Sequence, residues 1–433
     1  MGRMTMKTPE YSGLPVAKRS LARRWLGKSL ALGLCLVLIG GCAGTPPQQS
    51  SPVDVGWLLS GSAIFGGPVS LDELPEDDIL GLEPEMRAYL AQVAPGASPQ
   101  QRLAALLRGF ESRKFRVEYR ADQTLTAAET YRQEVGNCMA FTVMMVAMAR
   151  ELGADAYFNQ VEVPPVWGHD EEHTFVVYRH INMVSESPQG RRVVDFNLAA
   201  YDPIYDQRRL SDKAAFAQYY SNRGLEWMQQ GEMREAFRYL RKALELRPGD
   251  SDLWANLGAF YSRNEKYGAA EKSYLQALQL DSGHTIAMSN LERLYRKQKQ
   301  FELANYYADK ARYHRQRNPY YLYYQARNAY EHGDFKSAKR QLKRAIWQYE
   351  NDHRFHFLMG LTSYRLGDYK DSRDHFFEAF HLAGNSTARQ VYMRKLELMD
   401  KSGLGDQKEG RSRLRHRDPG IINVDPLGLP GRF

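Results

Sequence analysis

Cysteine is scarce in this chain of 433 residues: only Cys35, Cys42 and Cys138 occur. Three cysteines cannot build a disulfide framework, so stability must come from apolar cores. Long apolar runs are missing as well. The most apolar stretch, residues 29–41, is about 13 residues, short of the ~20 that cross a bilayer as a helix. A multi-span membrane protein is excluded. With 25% charged and 43% hydrophobic residues, so is a disordered or collagen-like chain. Acids are sparse at the N-terminus. Residues 1–41 hold seven Lys/Arg against Glu10 alone, so +6 of the net +8 sits there and the rest is near +2. The basic excess therefore carries no argument for nucleic acid, and no nucleic-acid partner is expected. A metal-ligand cluster at credible spacing is also lacking. His169-Asp170-Glu171-Glu172-His173 reads as a solvated polar loop, and neither metal nor cofactor is expected.

The N-terminus reads as an address. Basic residues from Lys18 to Lys28 precede the apolar run, and small residues follow it, as in a secretory signal. Leu38-Ile39-Gly40-Gly41-Cys42 resembles the lipobox of bacterial lipoproteins. The resemblance implies cleavage after residue 41 and a lipid on Cys42 that holds the chain to a membrane. Ala43 after the cysteine implies the outer membrane, facing the periplasm of a diderm bacterium. Residues 42–83 are expected as the lipidated cysteine and a linker, with Pro, Gln and Ser making residues 43–53 a tether.

Residues 84–212 are expected as an α+β domain. Residues 138–151 read as an apolar helix opened by Gly136-Asn137, which sets Cys138 at a helix N-terminus. There the helix dipole favours a thiolate, although free cysteines are often simply small buried residues. Residues 156–163, 174–184 and 192–196 alternate as strands, and Ser185 to Gly190 has the composition of a turn. A hairpin turn centred on Ser187-Pro188 pairs residues whose numbers sum to 375, and so sets His180 opposite Asp195. An imidazole beside a carboxylate is what a cysteine nucleophile requires. His173, with Asp202 as its partner, is the rival base; His169 lies in the loop before it.

Gly136-Asn137-Cys138, the strand histidine and Val194-Asp195-Phe196-Asn197 together resemble the bacterial transglutaminase-like superfamily. The resemblance covers roughly residues 84–205. It implies a papain-like fold with Cys138 as nucleophile, His180 as base and Asp195 as the acid that orients it. It also implies amide hydrolysis or acyl transfer through a thioester, on a peptide, protein or cell-wall substrate. The histidine is followed by Ile181-Asn182 rather than the Ala-Trp common in that family.

The C-terminal half is periodic. Ala236, Ala270, Ala304, Ala338 and Ser372 are each 34 apart, as are Ala243, Ala277, Ala311, Ala345 and Ala379. With Trp254, Leu257-Gly258 and Tyr261 in the second unit, this is the signature of the tetratricopeptide repeat, an all-α solenoid. Five repeats are expected over residues 213–386, a capping helix over 387–402 and a disordered tail over 403–433. Such an array binds a protein or peptide partner in its groove and does no chemistry. Asn222, Asn256 and Asn290 share one column there, and Arg263 and Lys297 share another. Resemblance to peptide-binding arrays implies amides and cations that clamp a ligand backbone or carboxylate. Two functions follow: a thiol enzyme whose array recruits substrate, or an inert scaffold that binds envelope proteins.

Overall fold

A computed structural model describes residues 54–111, 117–161, 179–188, 190–196, 207–384 and 386–401. The signal and lipobox, the strand expected at 174–178, His169, His173, Asp202 and the tail from 403 lie outside the described residues.

Residues 54–83, expected as linker, are built and packed instead. Asp54 caps α1 (Val55–Ser60) by accepting the Trp57 N–H at 2.9 Å, and Gly61, in the left-handed region, turns the chain into α2 (Ser62–Phe65). Leu58 is fully buried, and its carbonyl accepts the Tyr261 hydroxyl at 2.5 Å. Phe65 packs edge-on against Phe237 at 5.6 Å. Arg238 and Arg241 donate to the Glu73 and Val69 carbonyls, and Lys242 pairs with Glu76. These two helices are short and flanked by Gly and Pro, so local sequence gives them no periodicity. What holds them is a surface almost two hundred residues away in sequence.

The α+β domain follows. α3 (Pro84–Gln92) and α4 (Pro99–Glu111) lead to β1 (Glu118–Tyr119), which pairs in parallel with β2 (Val135–Gly136). Between them lies α5 (Ala127–Gln133), opened by a capping box in which Thr126 and Glu129 satisfy each other's backbone amides. α6 (Cys138–Glu151) is the central helix. Its residues 139–149 are all buried, which matches its lack of a polar face. A four-stranded antiparallel sheet covers it, in the order β5 (Gly190–Val194), β4 (His180–Ser187), β3 (Ala156–Val161), β6 (Gln207–Arg209).

The helical array begins at α7 (Asp212–Gln230) and α8 (Met233–Leu246). It continues through α9 (Ser251–Arg263), α10 (Tyr267–Leu280), α11 (Thr285–Lys297) and α12 (Phe301–Gln316). Units four and five are α13 (Pro319–Glu331) with α14 (Phe335–Gln348), and α15 (His353–Arg365) with α16 (Tyr369–Leu382). α17 (Ser386–Lys401) ends the stack. The two alanine columns are the contact line between paired helices, each member fully buried. Glycines at the facing position let the backbones approach. A Cβ on Gly258 would lie 2.5 Å from the Tyr274 ring, and one on Gly360 would lie 2.6 Å from Phe376. A third column closes the helix starts. Asp250, His284, Asn318 and Asp352, each 34 apart, accept first-turn amide hydrogens through their side chains. Unit one breaks this column with Phe216, and its helix runs back to a Ser211 cap.

Two cores result. One runs without interruption from Leu58 through the α+β domain to Ala311 in unit three. The other spans Leu322 to Met399 in units four, five and α17.

Candidate functional site

The hairpin brings the three expected side chains together by a register that differs from the expected one. Met183 faces Val194 and Ser187 faces Gly190, so paired numbers sum to 377 rather than 375. The turn sits one residue later than its composition suggests. Carried one step past Val194, that register sets Asp195 across from Asn182, with His180 its diagonal neighbour. A slip of two residues keeps every side chain on its face, and the contact survives: His180 Nε2 lies 2.7 Å from Asp195 Oδ2. The Asp195 carboxylate is fully buried and also accepts the Asn182 amide at 3.0 Å. Asn182 in turn accepts from Asn159 at 2.8 Å. These two buried amides were not singled out from the sequence; a polar residue on a buried strand face was the available signal.

Cys138 is the first residue of α6. Asn137 caps it, accepting the Ala140 N–H at 3.0 Å and donating to Thr124 Oγ1 at 2.7 Å. The thiol lies beside the imidazole of His180 and acts on its charge. Burial pushes the His180 pKa down, but the Asp195 hydrogen bond and the Cys138 contact outweigh it and raise it to about 10. Tyr119 stands beside the thiol, its hydroxyl pKa raised by burial and then by the cysteine; its ring stacks on Phe196 at 5.7 Å.

The domain is seated on the first helices of units one and two. Gln218 donates to Gln160 Oε1 at 3.0 Å, and Glu226 accepts the Thr124 N–H at 2.7 Å. Arg179 pairs with Asp252, whose other oxygen meets His284 Nε2 at 2.8 Å. Burial would raise the Asp252 pKa, yet His284 and Arg179 hold it below the usual carboxylate range. Asp77, from the N-terminal segment, accepts hydroxyls from Tyr219 at 3.0 Å and Tyr239 at 3.2 Å. None of these junction residues was named as a site from the sequence.

The expected ligand clamp is not laid out as anticipated. Asn222, Asn256 and Asn290 are only 7%, 1% and 2% exposed, and Asn256 donates to Ser221 Oγ at 3.0 Å. All three are buried, and Asn256 ties α9 to α7. Arg263 and Lys297 are exposed, and the Lys297 ammonium lies 5.0 Å from the Tyr267 ring centre. Among the described residues no group of three or more His, Cys, Asp or Glu could hold a metal ion.

Tetratricopeptide-repeat family models match residues 217–250 and 239–272. The model for subunit 3 of the anaphase-promoting complex, or cyclosome, matches residues 297–379. No curated protein matches the chain. Among solved structures, the Cut9–Hcn1 hetero-tetramer of the anaphase-promoting complex is 18% identical, with 44% of this chain and 38% of that chain covered and a TM-score of 0.24. PilF of Pseudomonas aeruginosa is 19% identical over 45% of this chain and 89% of its own, with a TM-score of 0.24. MamA of Desulfovibrio magneticus RS-1 is 20% identical over 40% and 96%, with a TM-score of 0.22.

These findings correct the expectation of a thiol enzyme. The matched families are repeat arrays, which bind and do no chemistry. The transglutaminase-like and cysteine-protease-like identities of residues 84–212 are withdrawn accordingly, and the domain stands as a mixed α+β region. The second half of the chain is a tetratricopeptide-repeat region.

Proposed function

We propose that this chain is a non-catalytic scaffold that holds a protein or peptide partner on its tetratricopeptide array. The observation that supports this most is the array itself: five helix pairs and a closing helix over residues 212–401, with family matches over 217–272 and 297–379. In this reading the α+β domain braces units one and two through Gln218, Glu226 and Asp252. Cys138, His180 and Asp195 then form a half-buried polar strut, tied by the His180–Asp195 hydrogen bond. The basic and apolar segment before Cys42 supports export and attachment to an envelope membrane, with the array in the periplasm.

Photo-crosslinking residues placed at Arg263 and Lys297 in the native host test this. The scaffold reading expects one discrete protein adduct, formed in equal yield by the Cys138→Ala chain. An adduct lost with Cys138→Ala, or an acyl group found on Cys138 by intact mass, would refute it.

A further inference from the structure

We propose that the outer face of α14 docks on an anionic lipid surface. This helix contains no acidic residue. Ala338, Leu342 and Ala345 are fully buried and fix its inward face. Lys336, Arg340, Lys343 and Trp347 follow at spacings of 4, 3 and 4, which places them in one stripe on the opposite side, with Arg344 beside them. All five are exposed, and the Trp347 indole, at 86%, is the most exposed large apolar side chain described.

The cations of this stripe meet no carboxylate among the described residues. Arg340 donates to Ser337 Oγ at 3.0 Å; Arg344 donates to Gln341 Oε1 at 3.2 Å and to the Gln316 carbonyl at 3.3 Å. Several other cations in units four and five and at the end of unit three are paired. Lys339, on the flank of the same helix, pairs with Asp368 and Asp371, and Arg312, Arg327 and Arg373 each have an acid. One repeat earlier, at the position equivalent to Trp347, stands Tyr313, 51% exposed, with the Arg317 guanidinium 4.2 Å from its ring.

Cations in a row with an aromatic side chain at the end suit the headgroup layer. Lys and Arg reach anionic phosphates while their stems lie on the apolar boundary, and an indole partitions to that same depth. An acidic polymer would reward the cations but leave the indole in water. No described helix is long and apolar enough to cross a membrane, so the contact is with the surface. It does not depend on a lipid at Cys42, nor on what the array binds.

The described residues, all within 54–401, fall in a single unit, so the chain starting at Ser50 is the test protein. It is sedimented with phosphatidylcholine vesicles, with and without phosphatidylglycerol. Binding is expected only with the anionic lipid, weakening as salt rises. Each Lys or Arg near such a surface raises partition about fivefold, so Arg340→Gln with Lys343→Gln should lower it about 25-fold. Lys213→Gln with Lys266→Gln, an equal loss of charge elsewhere, should leave it unchanged. Trp emission should shift to the blue on the anionic vesicles, and Trp347→Phe should remove the shift. Equal binding to both vesicle types, or an equal loss in the control pair, would overturn the proposal. A poly-glutamate peptide that binds the stripe when vesicles do not would overturn it too, in favour of an acidic protein partner.

Discussion

The two cores are built from the same repeat, yet they stand in different surroundings. The first, through unit three, is overlaid by the α+β domain and by residues 54–83, which plug the array with Leu58, Phe65 and Asp77. The second, in units four and five, has only helices among the described residues, and it carries the bare basic face of α14. The contrast teaches how one repeat serves two ends. Where foreign elements cover it, the array becomes a fixed platform. Where they do not, its outer faces are open to a surface or a partner.

Buried charge sharpens that contrast. In the second core, Arg354 is almost wholly buried, with its Nε 2.8 Å from Asp352, the residue that also caps α15. Asp352→Ala takes the carboxylate from a buried guanidinium, at a cost of about 3–5 kcal/mol. Because the cores are separate, hydrogen exchange should show units four and five losing protection while units one to three keep theirs. Equal loss along the whole array would merge the two cores and break the comparison.

The strut in the first core has the next largest effect. His180→Ala takes the imidazole from the buried Asp195 carboxylate, and should cost about 3 kcal/mol. His180 binds its proton more tightly folded than unfolded. The stability it adds is complete below its ordinary value of 6.5 and is lost as pH rises towards about 10. Denaturant unfolding across that range should show the decline in the wild type and a flatter curve in the variant.

Glu226, at the junction of domain and array, gives a smaller effect. Burial raises its pKa to about 7, against the pull of Thr124 and Arg223. A carboxyl raised in this way favours the protonated folded state, so stability falls as pH rises from 4.5 towards 7. Glu226→Gln keeps an acceptor for the Thr124 N–H and should add about 1–3 kcal/mol above neutral pH. A Gln variant less stable there than the wild type would show that Arg223 depends on the charge.

What the sequence made legible follows physical range. The array was readable because its contacts recur every 34 residues, and Ala236, Ala243 and their equivalents must be small for helices to touch. The cap column from Asp250 to Asp352 was present in the sequence at the same period and went unused. The meeting of His180 with Asp195 was readable because a hairpin is local, although turn composition misplaced its centre by one residue. The segment 54–83 was not readable, since its packing partners, Phe237 and Tyr261, lie far along the chain. Function was the least legible. A cysteine, a histidine and an aspartate in contact describe a structural strut as well as a catalytic one.

The most direct test of the scaffold account is a chromosomal Cys138→Ala replacement, compared with an array variant, Gly258→Val, whose side chain would meet the Tyr274 ring. The account expects Cys138→Ala to keep the wild-type crosslinked partner and phenotype, and Gly258→Val to lose both. A Cys138→Ala strain with the phenotype of a full deletion, though its protein is folded and still crosslinked to the partner, would contradict it.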